Sequence, residues 1–314
     1  MKKAISLILC LTMALALCGC GQKGTGEFTT DKVVMTYVAS PLNVPSVLEK
    51  QQGGFAAAFG KLGLGFAYSD LDSGADQTAA LASGDIHILN GVGGSSVIMA
   101  AANGADIRII SMYSAAPKAF AMYSADASIN SPADLKGKTV AGPKGTNLHE
   151  LLAAYLATGQ MTEKDVNFVS MDIPSSAAAL DGGSVDAALL GGPAAYQCEQ
   201  KGYHKVCDGE GLIAATIVTA TTAKFAAENP GIIEAFKAEQ NRIVDEMRAD
   251  EEAAFAVTAE ALGLELSAVR DMYAMYDFDT ALTAEDVAAI QSTEAFLYDN
   301  GLIENHVDIQ SIVL

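Results

Sequence analysis

The stretch 134-DLKGKTVAGPKGTNLHELL-152 holds a turn, a short strand, a loop and the start of a helix in immediate succession. We predict the strand at residues 139–141 and a helix whose first turn contains Thr146 and Asn147. A loop that leads from a strand into a helix leaves backbone N–H groups unpaired above the carboxyl end of the strand. Such groups favour a small anionic or polar ligand, although many junctions of this kind only turn the chain.

The same strand-loop-helix pattern occurs elsewhere along the chain. A β-rich run at 33–39 leads through a Ser-Pro corner into a helix from about Ser46, interrupted by two glycines at 53–54. A glycine loop at 91–96 opens another predicted helix, from Val97 to Asn103. Alternating strands and helices in both halves, followed by almost wholly helical sequence after residue 222, predict an α/β fold with mixed sheets wrapped by helices.

The residues at these corners form the candidate ligand-binding set, because they supply hydroxyl groups or free backbone N–H groups that could converge on one cleft. Helix capping is the common alternative role for each serine or threonine. His149 joins the set because it lies one turn into the helix that begins with Thr146 and Asn147, and because it could donate a hydrogen bond to a ligand oxygen. The set comprises Ser40, Pro41, Leu42, Asn43, Gly94, Ser95, Ser96, Ser114, Gly145, Thr146, Asn147, His149, Pro174, Gly192 and Pro193.

The amino terminus has the pattern of a secretory leader. Lys2 and Lys3 precede an apolar run at 4–17, which is shorter than the ~20 residues that a membrane-spanning helix needs. The run ends in Leu-Cys-Gly-Cys at 17–20, which looks like a bacterial lipoprotein cleavage box. We therefore expect a signal peptide at 1–19, a lipid-bearing Cys20 and a tether at 20–30. An ordinary signal peptide with chance cysteines is the alternative.

Composition sets several function classes aside. The formal net charge of −19 argues against nucleic-acid binding, which needs a basic face. The histidines are scattered and no cysteine spacing suits a metal, so we expect neither a metal nor a cofactor. No Gly-x-Ser-x-Gly motif is present, and we expect no enzyme activity. Outside the leader, Cys198 and Cys207 could form a disulfide or be small buried residues, and both possibilities stay open.

Four segments carry a family resemblance. They are the stretch at 134–152 quoted above, 82-ASGDIHIL-89, 180-LDGGSVDAA-188 before a helix that starts with proline, and 295-AFLYDNGLI-303. Together they resemble the periplasmic solute-binding proteins of the sulfonate, taurine, nitrate and thiamine-precursor group. His87 stands where that group has an acidic residue, a change that we expect to affect packing rather than chemistry.

The resemblance implies a two-lobed periplasmic binding protein of type II. Lobe 1 would comprise residues 31–124 and 222–314, and lobe 2 residues 125–221, with a hinge near Ser124 and Ala220. The implied function is that of a lipid-anchored, extracytoplasmic monomer that captures a small sulfonate-like, taurine-like or nitrate-like anion for an ABC permease and ATPase. Binding of a thiamine-pyrimidine precursor, a biosynthetic enzyme for it, and a ligand-sensing module for a membrane sensor are the alternatives.

Overall fold

The computed structural model describes residues 28–38, 42–71 and 73–314. The predicted signal peptide, Cys20, Ser40 and Pro41 lie outside these residues. The strands, in chain order, are β1 Lys32–Tyr37, β2 Gly65–Asp70, β3 Leu89–Gly93, β4 Arg108–Ala115, β5 Phe120–Ser124, β6 Thr139–Gly142, β7 Asn167–Ser170, β8 Ala187–Gly191, β9 His204–Asp208 and β10 Thr216–Thr221.

The first lobe is built on strands β1 to β4 and β10. β1 pairs in parallel with β2. An isolated parallel bridge joins Met35 of β1 to Ile88, the residue directly before β3. β10 runs antiparallel between β3 and β4. The order across this sheet is therefore β2-β1-β3-β10-β4.

The second lobe repeats that arrangement. Its sheet has the order β7-β6-β8-β5-β9, in which β6 pairs in parallel with β7 and β8. β5 runs antiparallel to both β8 and β9. The fourth position in each sheet is thus filled by an antiparallel strand, and the mixed sheets of the predicted α/β fold are confirmed.

The chain crosses between the sheets earlier than we predicted. β5 ends at Ser124 but already belongs to the second sheet, and β10 contains Ala220 but already belongs to the first. The crossings are therefore the connections at 116–119 and 209–215. The expected lobe boundaries at 124 and 221 need this correction, because a boundary is set by long-range strand pairing rather than by the local pattern of either strand.

Helices pack against both faces of these sheets. Gly53, at φ +67°, separates the first two helices, as its position in the predicted helix suggested. The first lobe also carries the helical carboxyl-terminal part of the chain, where Phe236 stacks on Phe55 with ring centroids 5.2 Å apart. The helices are α1 Val44–Gln52, α2 Gly54–Lys61, α3 Gly74–Ser83, α4 Gly94–Ala102, α5 Asn147–Thr158, α6 Ile173–Asp181, α7 Gly192–Gln200, α8 Ala223–Glu228, α9 Pro230–Ala249, α10 Glu251–Leu262, α11 Leu266–Tyr273 and α12 Ala284–Asp299.

Two further observations complete the fold. None of the helices in the described part is both long and apolar enough to cross a membrane. Cys198 and Cys207 are free thiols, the first buried and the second half-buried. Burial raises the pKa of the Cys207 thiol to about 12, which disfavours the reactive thiolate form.

Candidate functional site

A cleft of about 940 Å³ lies between the two lobes. The first lobe lines it with residues 73–79 at the start of α3 and with the turn into α4. The second lobe lines it with the loops at 143–148 and 170–174, which lead into α5 and α6. These segments follow the carboxyl ends of parallel strands, where ligands of open α/β sheets bind.

The structure brings some of the predicted site residues together at this cleft and leaves others elsewhere. Leu42 and Ser114 are buried but do not line the cleft, and Gly94 and Ser95 lie buried beside it at the start of α4. The predicted residues that line the cleft are Asn43, Ser96, Gly145, Thr146, Asn147 and Pro174.

Gly192 and Pro193 are not part of the cleft lining. They open α7, and Gly192 lies at a small separate pocket that Tyr123 and Tyr276 also line. Two glycines and a proline after a strand correctly predicted the start of a helix at this position. This pattern does not say where in the molecule that start lies.

Two helix N-termini from opposite lobes face the cleft without a side-chain cap. Gly93 precedes α4 and Thr146 precedes α5, and in the described structure neither makes a side-chain cap hydrogen bond. The hydroxyl of Thr146 donates instead to the carbonyl oxygen of Pro143, at 2.8 Å. The first N–H groups of a helix have no intrahelical partner and carry partial positive charge. These two ends therefore offer an anion donors from both lobes.

Two of the other helices at the cleft, α3 and α6, are capped by side chains, whereas Asn43, which precedes α1, makes no side-chain cap hydrogen bond in the described structure. Ser73 accepts a hydrogen bond from the N–H of Asp76 at the start of α3. Asp172 accepts from the N–H of Ser175 at the start of α6, at 2.7 Å. The starts of α4 and α5 thus keep donors for a ligand, whereas the side-chain caps of α3 and α6 already use one donor each.

The lobes contact each other directly beside these helix ends. The Ser95 hydroxyl donates to Asn147 Oδ1 at 2.5 Å, and the Ser96 hydroxyl donates to the carbonyl oxygen of Gly145 at 2.6 Å. Glycine at position 74 lets α3 approach this contact, since a Cβ there would lie 2.2 Å from Ser96 Oγ. These contacts hold the starts of α4 and α5 close together.

His149 supports the site from behind rather than facing it. Its side chain is 1 % exposed and its ring stacks on Phe168, with centroids 4.9 Å apart. Nδ1 accepts the N–H of Gly145 at 3.3 Å, and Nε2 lies 2.6 Å from Glu163 Oε2. Since Nδ1 accepts, the ring proton is on Nε2 and is donated to Glu163. The expected hydrogen bond from His149 to a ligand oxygen is therefore wrong.

The charges of the cleft are at its rim. Among the described lining residues, the charged ones are Asp76, Lys144 and Asp172, and all three are exposed. The walls are otherwise neutral and largely apolar, with Met99 and Ile173 among them. Such a cleft suits a ligand with a small charged head and an uncharged body.

Sequence reasoning missed two features of the site. The first is the segment at 73–79, which is absent from the predicted binding set although its N-cap serine follows a strand in the same way as the other corners. The second feature is Glu150, whose side chain is 3 % exposed at the contact between the lobes. Burial raises the pKa of its carboxyl group to about 7, although the neighbouring hydroxyl groups of Thr293 and Ser95 oppose the rise.

A family model described as NMT1/THI5 like matches residues 47–254, which is about two thirds of the chain. The chain belongs to the NMT1/THI5-like family. This membership confirms the resemblance that the four sequence segments indicated.

Proteins that are named for their ligands are similar to this NMT1/THI5-like chain. A Bacillus subtilis (strain 168) protein named for binding aliphatic sulfonates is 25% identical over 318 residues, which cover 100% of this chain and 95% of the relative. The taurine-binding periplasmic protein of Escherichia coli (strain K12) is 31% identical over 169 residues, 52% of each chain.

A solved structure shares the fold. The alkanesulfonate-binding protein SsuA from Xanthomonas axonopodis pv. citri, bound to MOPS, superposes with a TM-score of 0.82 at 22% identity. The match covers 90% of this chain and 98% of that one. The NMT1/THI5-like chain therefore has the two-lobed periplasmic binding protein fold that we predicted.

Proposed function

We propose that the protein is an extracytoplasmic solute-binding protein of an ABC importer that captures a small organic sulfonate between its lobes. The observation that carries the proposal is the pair of uncapped helix N-termini, one from each lobe, at a single cleft. A sulfonate head accepts hydrogen bonds from several N–H groups and needs no arginine partner when helix ends supply partial positive charge.

The walls of the cleft support an organic anion rather than an inorganic one. Met99, Met171, Ile173 and Ile217 offer apolar surface to a carbon chain. The volume also exceeds what nitrate would fill. Among the described lining residues, Phe120 is the one aromatic side chain, which makes stacking of a thiamine-pyrimidine ring a weaker proposal.

Binding rather than catalysis is also part of the proposal. The described residues of the lining include neither histidine nor cysteine, two residues that often activate or supply a nucleophile. The relatives named above are binding proteins. The enzyme alternative therefore has less support than solute capture.

Capture would work by closure of the two lobes. The connections at 116–119 and 209–215 are the proposed hinge, and a ligand that contacts both α4 and α5 would favour the closed form. The closed monomer would then deliver its ligand to a permease and ATPase. A lipid on Cys20 would keep the protein at the membrane, with residues 20–30 as the tether.

Isothermal titration calorimetry of the purified protein tests this function. We expect a saturable signal from short alkanesulfonates or their substituted analogues, and a weak or absent signal from nitrate and a thiamine pyrimidine. Ala79→Trp should abolish binding because Ala79 lines the cleft, whereas Ala288→Trp, on the exposed face of α12, should leave binding unchanged. Absence of any sulfonate binding, or saturable binding of the pyrimidine alone, would refute the proposal.

A further inference from the structure

A buried carboxyl group lies at the contact between the lobes, near the start of α5. Glu150 follows Asn147 by three residues, so the two side chains share one face of the helix. Glu150 is 3 % exposed, and its Oε2 atom has no hydrogen-bond partner among the residues that the structure describes. Its polar neighbours are the hydroxyl groups of Ser95 on α4 and Thr293 on α12. Both belong to the first lobe, so one lobe helps to enclose a carboxyl group of the other.

The Ser95 hydroxyl already uses its single proton elsewhere. It donates that proton to Asn147 Oδ1 at 2.5 Å. The Asn147 amide is held in this orientation because its Nδ2 donates to the backbone carbonyl of Thr216 at 3.1 Å. Ser95 Oγ therefore offers Glu150 only lone pairs, which match the O–H of a protonated carboxyl group rather than a carboxylate. Ser95 opposes the raised pKa of Glu150 only when its proton turns away from Asn147.

The charged groups around α5 do not compensate a carboxylate at Glu150. α4, β5 and β8 pack against α5 and carry no acidic, basic or histidine side chain. On α12, Glu294 lies 3.0 Å from His306 Nδ1, and on α5 His149 is bonded to Glu163. The other charged residues of the short turns against α5 are Asp134, Lys164 and Asp165. Burial is the main cause of the raised Glu150 pKa, and no charged group of the described residues is among its causes.

Separation of the lobes would change the surroundings of this carboxyl group. Ser95 and Thr293 would move away with the first lobe, and water would reach Glu150 from that side. The ordinary pKa of a glutamate is about 4.5, whereas burial in the structure described here raises the pKa of Glu150 to about 7. Between these two pH values the closed form favours the protonated carboxyl group, and the open form favours the carboxylate.

We propose that Glu150 is a proton-binding site completed by lobe closure, so that the protein takes up one proton when it captures its anion. The inference rests on the proposed function, in which closure accompanies capture. The proton comes from solvent as the first lobe covers the carboxylate, and it returns to solvent when the lobes open. The bound proton neutralises the carboxyl group and gives it a donor for Ser95.

The sign of the pH dependence follows from linkage. A proton that favours the closed form also raises the affinity for a ligand of that form. Because closure raises the pKa of Glu150, the gain in affinity is complete below about pH 4.5 and is lost as the pH rises through about 7. Affinity should then change little above pH 7.

Isothermal titration calorimetry with 1-propanesulfonate tests the inference on the purified protein. The sulfonate group of this probe stays ionised between pH 5 and pH 8, so its own charge does not change. We expect the affinity to fall at least ~10-fold from pH 5 to pH 8. At pH 6, heats measured in two buffers with different ionisation enthalpies should show that binding takes up most of one proton.

A variant assigns the proton to Glu150. Glu150→Gln keeps the shape of the side chain, stays neutral and can donate an N–H to Ser95. Its affinity should be nearly the same at pH 5 and pH 8, without proton uptake, and at pH 8 it should bind more tightly than the wild type. Damage to the fold would not produce that gain. Glu304→Gln, at an exposed position, is the matched control and should keep the wild-type pH dependence.

The outcomes separate this inference from the proposed function. If 1-propanesulfonate binds equally well at pH 5 and pH 8 without proton uptake, the inference is wrong and the sulfonate-binding function stands. If Glu150→Gln keeps the wild-type pH dependence, another group binds the proton and the role of Glu150 is wrong. If no sulfonate binds at any pH, both proposals are lost.

Discussion

The hydroxyl of Ser96, in the first lobe, donates a 2.6 Å hydrogen bond to the backbone carbonyl of Gly145, in the second. Ser96→Ala removes this donor while leaving the fold of each lobe intact. We expect ligand affinity to fall about 5-fold, as the loss of one hydrogen bond worth about 1 kcal/mol predicts. Calorimetry gives the value. Ser292→Ala, at an exposed position on α12, is the matched control, and equal affinities of the two variants would contradict the prediction.

Glu150 should make folding stability depend on pH. Its carboxyl pKa is raised in the folded protein to about 7, so the native state binds more protons than the unfolded state between about pH 4.5 and pH 7. Stability should therefore fall as pH rises through that window, by at most about 3 kcal/mol, and change little above it. Urea unfolding of the wild type and Glu150→Gln at several pH values measures the effect.

The glutamine variant should lack this part of the pH dependence and should be the more stable protein above pH 7. Glu304→Gln, at an exposed position, serves as the control and should follow the wild type. A wild-type slope retained in Glu150→Gln would show that the buried carboxyl group is not its source.

Lys144 should speed the capture of an anion. It is exposed at the rim of the cleft, on a protein whose net charge is −19. Lys144→Glu should lower the association rate constant about 3-fold to 10-fold at low ionic strength, and added salt should reduce the difference. Stopped-flow fluorescence measures the rate. Lys164→Glu makes the same charge change at an exposed position outside the lining, and an equal effect there would indicate net charge alone.

His149 should stabilise the fold by accepting the hydrogen bond from the Gly145 N–H group. His149→Phe would keep a ring on Phe168 but remove the acceptor for the Gly145 N–H and the donor to Glu163. We expect a loss of about 1–3 kcal/mol of folding stability, because the half-buried Gly145 N–H group and the Glu163 carboxylate each lose a partner. Urea unfolding measures the loss. In the wild type, ¹⁵N chemical shifts should show the ring proton on Nε2, and a proton on Nδ1 would contradict the geometry.

Cys20 should hold the protein at the membrane. Cys20→Ser should release the protein from the membrane fraction and remove the mass of an attached lipid. Cys18→Ser, two residues away, should remain lipidated and membrane-bound. Fractionation and intact mass measure both results, and release of the two variants alike would favour an ordinary signal peptide.

Local patterns in the sequence predicted the helices and strands well, but not which of them pack together in the fold. The helical sequence predicted after residue 222 includes the uninterrupted helix at 230–249, whose apolar residues repeat at helical spacing and which a proline starts. The start of α4 was placed three residues late, since Gly94 already belongs to the helix and packs against Thr216, where a Cβ would lie 2.3 Å from the threonine hydroxyl. Glycine there reflects close packing, which no local pattern shows.

The same distinction applies to the site. The corners at Ser96 and Thr146 were predicted from sequence because a strand followed by a polar turn and a helix is a local pattern. The corner at Gly192 matched that pattern equally well and lies elsewhere. The side chain of His149 was expected to point towards a ligand, but its orientation depends on packing against Phe168. Local sequence does not show that contact, because the two residues are 19 positions apart.

The antiparallel strand in each sheet has a consequence for the order of folding during synthesis. β10 separates β3 from β4, so the amino-terminal sheet stays incomplete until the ribosome has made residue 221. By then all five strands of the other sheet are already available. The lobe that begins the polypeptide is therefore the one that finishes last, and a truncated chain that stops before β10 would leave two strand edges open to aggregation.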